Sequence, residues 1–125
     1  MGLKNMTSHR KTFKKATEYY NKFIVFIEKQ QTDLLEKELP AIVDLRTINM
    51  IINCTYRGRM QGFASQSNKV LEMLFVAHAN EIIEKSTDAQ YLKNLNDILN
   101  EDAKAAPYNV NQLNEYIGSR IKQIG

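Results

Sequence analysis

One hundred and twenty-five residues and 14.4 kDa hold one domain and leave no room for a second core of ordinary size. A chain that is 43% apolar and 25% charged belongs among the globular proteins, and five Gly with two Pro are too few for a β protein full of tight turns. A single cysteine, Cys54, excludes an internal disulfide framework and a cysteine-based zinc cluster, and the formal charge of +3 is mild.

Between Leu3 and Leu39 there is neither Gly nor Pro. Phe13, Tyr20, Ile27 and Leu34 fall seven apart, with Ala16, Phe23 and Ile24 between them. This spacing predicts a helix over about residues 9–37, capped by Thr7 or Ser8, with residues 1–7 flexible. A break near residues 30–32 is the alternative, Thr32 then capping a separate turn that ends at Pro40. The apolar run at residues 23–27 has no polar side, so it needs cover from more than one neighbour.

After Pro40, the series Ile42, Leu45, Ile48, Ile52 and Tyr56 marks a second amphipathic helix. It can extend through Met60 and Phe63, although Gly58 and Gly62 would each cost about 1 kcal/mol in a helix interior. A third helix follows the polar stretch at residues 65–68 and carries Leu71, Leu74, Phe75, His78 and Ile82 on one side. Ser86 or Thr87 caps a fourth, holding Tyr91, Leu92, Leu95, Ile98 and Leu99. Residues 100–108, which include Pro107, read as a loop. A last helix starts near Asn109 or Asn111 and buries Leu113, Ile117 and Ile121. No segment alternates with period two and no internal repeat is present. The expectation is an all-α protein, an antiparallel bundle of four to five helices in one domain spanning 1–125.

Catalytic patterns are missing. There is no Gly-rich phosphate loop, no HExxH and no catalytic-cysteine arrangement. Glu81 follows His78, whereas a helical di-metal site needs the Glu three residues ahead. His78 therefore reads as a core histidine with one satisfied nitrogen, and Glu72 and Glu81 as solvent-facing. The expectation is a protein without catalytic residues, metal or cofactor. With five consecutive apolar residues as the longest run and no secretory leader, the chain reads as cytoplasmic and not membrane-bound. The sequons at Asn5 and Asn53 then read as chance matches.

The basic residues are better organised. Residues 1–30 hold seven Lys and Arg against two Glu, a local charge of +5, so the rest of the chain sums to −2. On a helix, Lys11, Lys14, Lys15 and Lys22 share a face with Glu18 as the one opposing charge. Such a stripe can follow a phosphate backbone, or it can be a solvated helix face. Arg57 and Arg59 lie beside Gly58 and Gly62, a pattern that reads either as an exposed guanidinium pair contacting an anion or as a kink whose glycines serve geometry. The apolar residues Tyr19, Val25, Phe26, Ile51, Ile83 and Tyr91 fall off the main stripes of their helices. A four-helix monomer does not easily cover them, so they form a candidate interface for a protein partner or a second copy, unless the stripes are assigned one face off.

Near the C-terminus, Glu115-Tyr116-Ile117-Gly118-Ser119-Arg120 resembles the Glu-Ile-Gly-Arg-like stretch that ends the last helix of the accessory four-helix bundles of diversity-generating retroelements and of their relatives encoded within ribosomal RNA genes. Ser119 interrupts the motif, and the resemblance spans about fifteen residues. Length, helix number and basicity are also similar. The resemblance implies a nucleic-acid-associated oligomer.

Two expectations follow. The first is a non-enzymatic helical-bundle interaction or regulatory protein that binds a protein partner and self-associates as a homo-oligomer. The second is a nucleic-acid-binding accessory protein using Lys11, Lys14, Lys15 and Lys22, joined by Arg57 and Arg59.

Overall fold

The computed structural model describes residues 2–106 and 109–125, with side chains from His9 onward. Among them are six helices and no strand: α1 (Gly2–Glu28), α2 (Thr32–Glu38), α3 (Leu45–Met60), α4 (Ser65–Lys85), α5 (Ala89–Ala105) and α6 (Asn114–Ile124). The all-α bundle is as expected, and the count is six because the first predicted helix divides. α1 ends at Glu28, where the amide of Gln31 donates to Phe26 O (2.8 Å) and that of Gln30 to Ile27 O (3.1 Å). These are the two closing bonds of a Schellman motif, and Gln30 takes the left-handed position at φ +58°. Thr32 is the first residue of α2 rather than its cap; Gln31 stands at the N-cap without a side-chain bond. The backbone of α1 is helical from Gly2, upstream of Thr7 and Ser8, so neither begins the helix. The stretch 1–7 expected to be flexible has its side chains outside the described residues.

α3 is the centre of the molecule and packs against α1, α4 and α5. Asp44 starts it, accepting from the amide (3.2 Å) and hydroxyl (2.6 Å) of Thr47. Every residue from 47 to 55 is buried, so the helix has no solvent face through that stretch. Its end repeats the closure of α1: Phe63 N donates to Gly58 O and Gly62 N to Arg59 O, each at 3.0 Å, with Gly62 at φ +72°. The helix therefore stops at Met60 and does not continue through Phe63.

Gly58 has a different role. A Cβ there would lie 2.6 Å from the Tyr20 hydroxyl and 2.7 Å from Asn68 Nδ2, so the glycine lets α1 and α4 approach α3. Asn68, expected in a polar lead-in, is inside α4 and wholly buried. It accepts from the Tyr20 hydroxyl at 2.6 Å and donates to Phe63 O and Ala64 O.

α5 starts at an Asp88 cap, which accepts from Tyr91 N, rather than at Ser86 or Thr87. It runs to Ala105, which corrects the loop expected over 100–108: residues 100–105 are helical, and 107 and 108 lie outside the described residues. The connection to α6 is held by two buried asparagines one turn apart on α3. Asn53 accepts from Val110 N (3.0 Å) and donates to Val110 O (2.9 Å). Asn49 accepts from Gln112 N (2.9 Å) and donates to Val110 O (3.2 Å). Because these backbone groups bond to side chains, α6 begins at Asn114, later than the Asn109 or Asn111 expected. Asn53 is thus a buried clamp, inaccessible as a sequon.

The core joins Phe23 and Phe26 of α1, Ile48, Ile51 and Ile52 of α3, Phe75 and Ile83 of α4, Leu92 and Leu99 of α5, and Ile117 of α6. Phe23 meets Phe75 edge-on at 5.5 Å between centroids. His78 is half-buried and donates from Nε2 to Ile42 O at 2.7 Å, the satisfied nitrogen expected of it. Among the described residues, no helix is long and apolar enough to cross a membrane.

Candidate functional site

The outer face of α1 gathers exposed positive charge. Lys11, Lys14, Lys15 and Lys22 are exposed, as is Glu18. They are not equivalent. Lys22 reaches back to the Glu38 carboxylate of α2 and lies over the Phe26 ring, so its charge is matched within the molecule. Lys15 stands 5.9 Å above the Tyr19 ring, while Lys11 and Lys14 have no ion pair among the described residues.

Arg57 and Arg59 do not form a pair. At about 100° per residue they point about 200° apart around α3. Arg59 turns to α4, binds Glu72 at 2.7 Å and lies over the Tyr56 ring. That contact also corrects the solvent-facing reading of Glu72, which is half-buried. Arg57 turns the other way, to α1, where its guanidinium sits 5.1 Å from the Phe13 ring centre and Nη2 donates to Cys54 Sγ at 3.5 Å.

The proposed apolar interface is corrected more strongly. Ile51, Ile83 and Phe26 belong to the core, and Tyr19 is half-buried beside Phe23. Only Val25 and Tyr91 are exposed, on α1 and α5. A single apolar stripe per helix does not describe the packing, because α3 has neighbours all round and α4 packs against α1, α3 and α6. The large apolar side chains with the highest fractional exposure among the described residues are instead Val43, Met60, Phe63 and Met73.

Between α1 and the second half of α3 lies an open hollow of about 300 Å³, lined by Phe13, Thr17, Tyr20, Asn21, Cys54, Arg57, Gly58, Gln61 and Phe63. A second hollow of about 250 Å³ shares Phe13 and Arg57 with it and continues past His9 and Arg10 to Ala106 and Asn109. Together they make a groove along α1. No Asp or Glu lines either hollow. Burial pushes the Cys54 thiol up, against the pull of Arg57, and burial also raises the Tyr20 phenol. Both stay neutral near pH 7, so Arg57 and Arg10 give the groove fixed positive charge. On α1, Arg10, Lys14, Thr17 and Asn21 stack as one ridge at helical spacing, which places Lys14 on the rim.

Sequence reasoning missed this groove. Its signal was present: Thr17 and Asn21 follow Phe13 at intervals of four, polar positions on a ridge that a fully covered helix would fill with apolar side chains. His9 was also passed over. It donates from Nδ1 to Asp102 Oδ1 at 3.2 Å, and Asp102 accepts twice from Arg46, both bonds at 2.7 Å. Asp102 is only 4% exposed, and this ion pair ties α1 and α5 to α3 behind the groove. Among the described residues no His, Cys, Asp and Glu gather so as to hold a metal ion.

No family model, curated protein or solved structure matches the chain. The stretch that resembles the retroelement accessory bundles falls in α6, where Ile117 is core and Arg120 donates to Ser86 O at 2.9 Å.

Proposed function

We propose that the protein is a non-catalytic accessory bundle that binds nucleic acid through α1. The observation that carries this reading is the ridge and groove just described: Lys11, Lys14 and Lys15 outside, Arg10 and Arg57 lining the groove, and no lining carboxylate. Each phosphate a cation neutralises releases a counterion and steepens the salt dependence. Lys22 and Arg59 contribute little, because their charges are already paired with Glu38 and Glu72.

The test is binding of DNA and RNA oligonucleotides across a salt series, with the Lys11→Glu/Lys14→Glu/Lys15→Glu variant beside the parent. The expected result is tight binding at low salt and a log–log slope shallower by up to about 3 in the variant. Absence of low-salt binding, or an unchanged slope, overturns the reading.

Self-association is favoured by a separate observation. Met60 and Met73, 65% and 64% exposed, flank the Arg59–Glu72 bridge on α3 and α4. Light scattering checks it: Met60→Glu is expected to reduce the oligomer's mass, and a parent that is monomeric at all concentrations removes the idea.

A further inference from the structure

The groove beside α1 has a chemistry narrower than its charge. Phe63 is 62% exposed, although a buried position would suit it better, and it lines the groove opposite α1. It is held there by structure: its amide closes α3 onto Gly58 O, and its carbonyl accepts from the buried Asn68. The ring thus sits on a fixed backbone. The same hollow is lined by Phe13, with the Arg57 guanidinium over its ring, and by the amide residues Gln61 and Asn21. The groove therefore combines an open aromatic face, a cationic plane and neutral amides able to donate and accept.

Resting on the nucleic-acid reading above, we propose that this groove takes bases of a single strand. Phe63 stacks one base, Arg57 meets the adjoining phosphate or base plane, and Gln61 and Asn21 reach base edges. The occupant follows from complementarity. Every base has a flat π-face that stacks on an aromatic ring, and every linkage carries an anion. A duplex keeps its bases stacked on one another, so it can use the lysine face but not the groove. An acidic peptide would satisfy Arg57 and Arg10, yet it has no flat face for Phe63 unless it carries an aromatic. The amides also suit unpaired edges, which present both donors and acceptors.

The experiment is fluorescence anisotropy of the full chain with four labelled probes at one salt concentration: a twelve-nucleotide pyrimidine strand, the same length of duplex, an abasic strand of equal charge, and a poly-glutamate peptide. The strand is expected to bind at least about tenfold tighter than the abasic strand. Phe63→Ala is expected to weaken the strand about 5- to 100-fold, leaving duplex affinity and the salt slope unchanged. Phe63 is largely exposed, so its truncation leaves the core intact. Arg57→Gln should weaken the strand and lower its salt slope by about 1; a thermal melt of that variant reports whether loss of the Phe13 contact has altered the fold. Equal affinity for normal and abasic strands, or a Phe63→Ala variant that binds the strand like the parent, overturns the base-stacking site while low-salt duplex binding keeps the broader reading alive. Tighter binding of poly-glutamate than of any oligonucleotide overturns both.

Discussion

α1 and α3 are neighbours of unlike economy. α3 is buried from residue 47 to residue 55 and uses its polar side chains inward, Asn49 and Asn53 on the α5–α6 connection and Arg46 on Asp102. α1 buries a ridge through Ala16 and Phe23 and leaves the opposite face to lysines with few internal partners. Burial decides what a polar side chain can do. Inside, an asparagine or arginine must be matched within the molecule and its loss is felt as instability. Outside, a lysine contributes little to folding and is left for a ligand.

The sharpest way to break this contrast is at Asp102. Asp102→Ala removes the buried carboxylate that Arg46 binds through two hydrogen bonds and His9 through one, and urea unfolding should show a loss of about 3 kcal/mol. An apolar replacement of both Asp102 and Arg46 should recover much of it, since no uncompensated charge then remains. Next comes Asn53→Ala, which leaves the amide of Val110 without its acceptor; the expected cost is about 1–3 kcal/mol, with hydrogen exchange rising first at residues 109–113.

Smaller effects come from α1. Gln30→Gly relieves a left-handed backbone position at the helix end, and a gain of up to about 1 kcal/mol in thermal stability is expected. The matching position of α3, Gly62, already holds glycine, so Gly62→Ala should move stability the other way by a similar amount. Least of all, the triple lysine-to-glutamate change on α1 should shift stability by under about 0.5 kcal/mol while lowering the salt slope of the proposed binding by up to about 3. A large destabilisation there would show that the lysines serve the fold.

The two helix ends also show how far a sequence can be read. Gly62 marked a residue costly to a helix, and a break near residues 30–32 was the alternative reading without a glycine to mark it, yet both helices close with the same pair of bonds. A glycine advertises a left-handed residue because it lacks the Cβ clash; a glutamine stands there at the end of α1 with two closing backbone bonds at an exposed turn. Likewise Asn68 and residues 100–105 looked like loop from their polarity, although Asn68 is buried where Tyr20 and the turn carbonyls satisfy it.

Helical periodicity, the scarcity of Gly and Pro and the concentration of charge in the first thirty residues were enough to determine an all-α bundle whose basicity belongs to one helix. These properties are local, set by spacing along a single element. What a face meets is not local. Burial of Ile51 and Ile83, the pairing of Arg59 with Glu72, and the meeting of Phe63 and Phe13 in a groove that no carboxylate lines were decided only by tertiary structure, because each depends on which helix lies opposite and, at the groove, on how closely Gly58 lets it come.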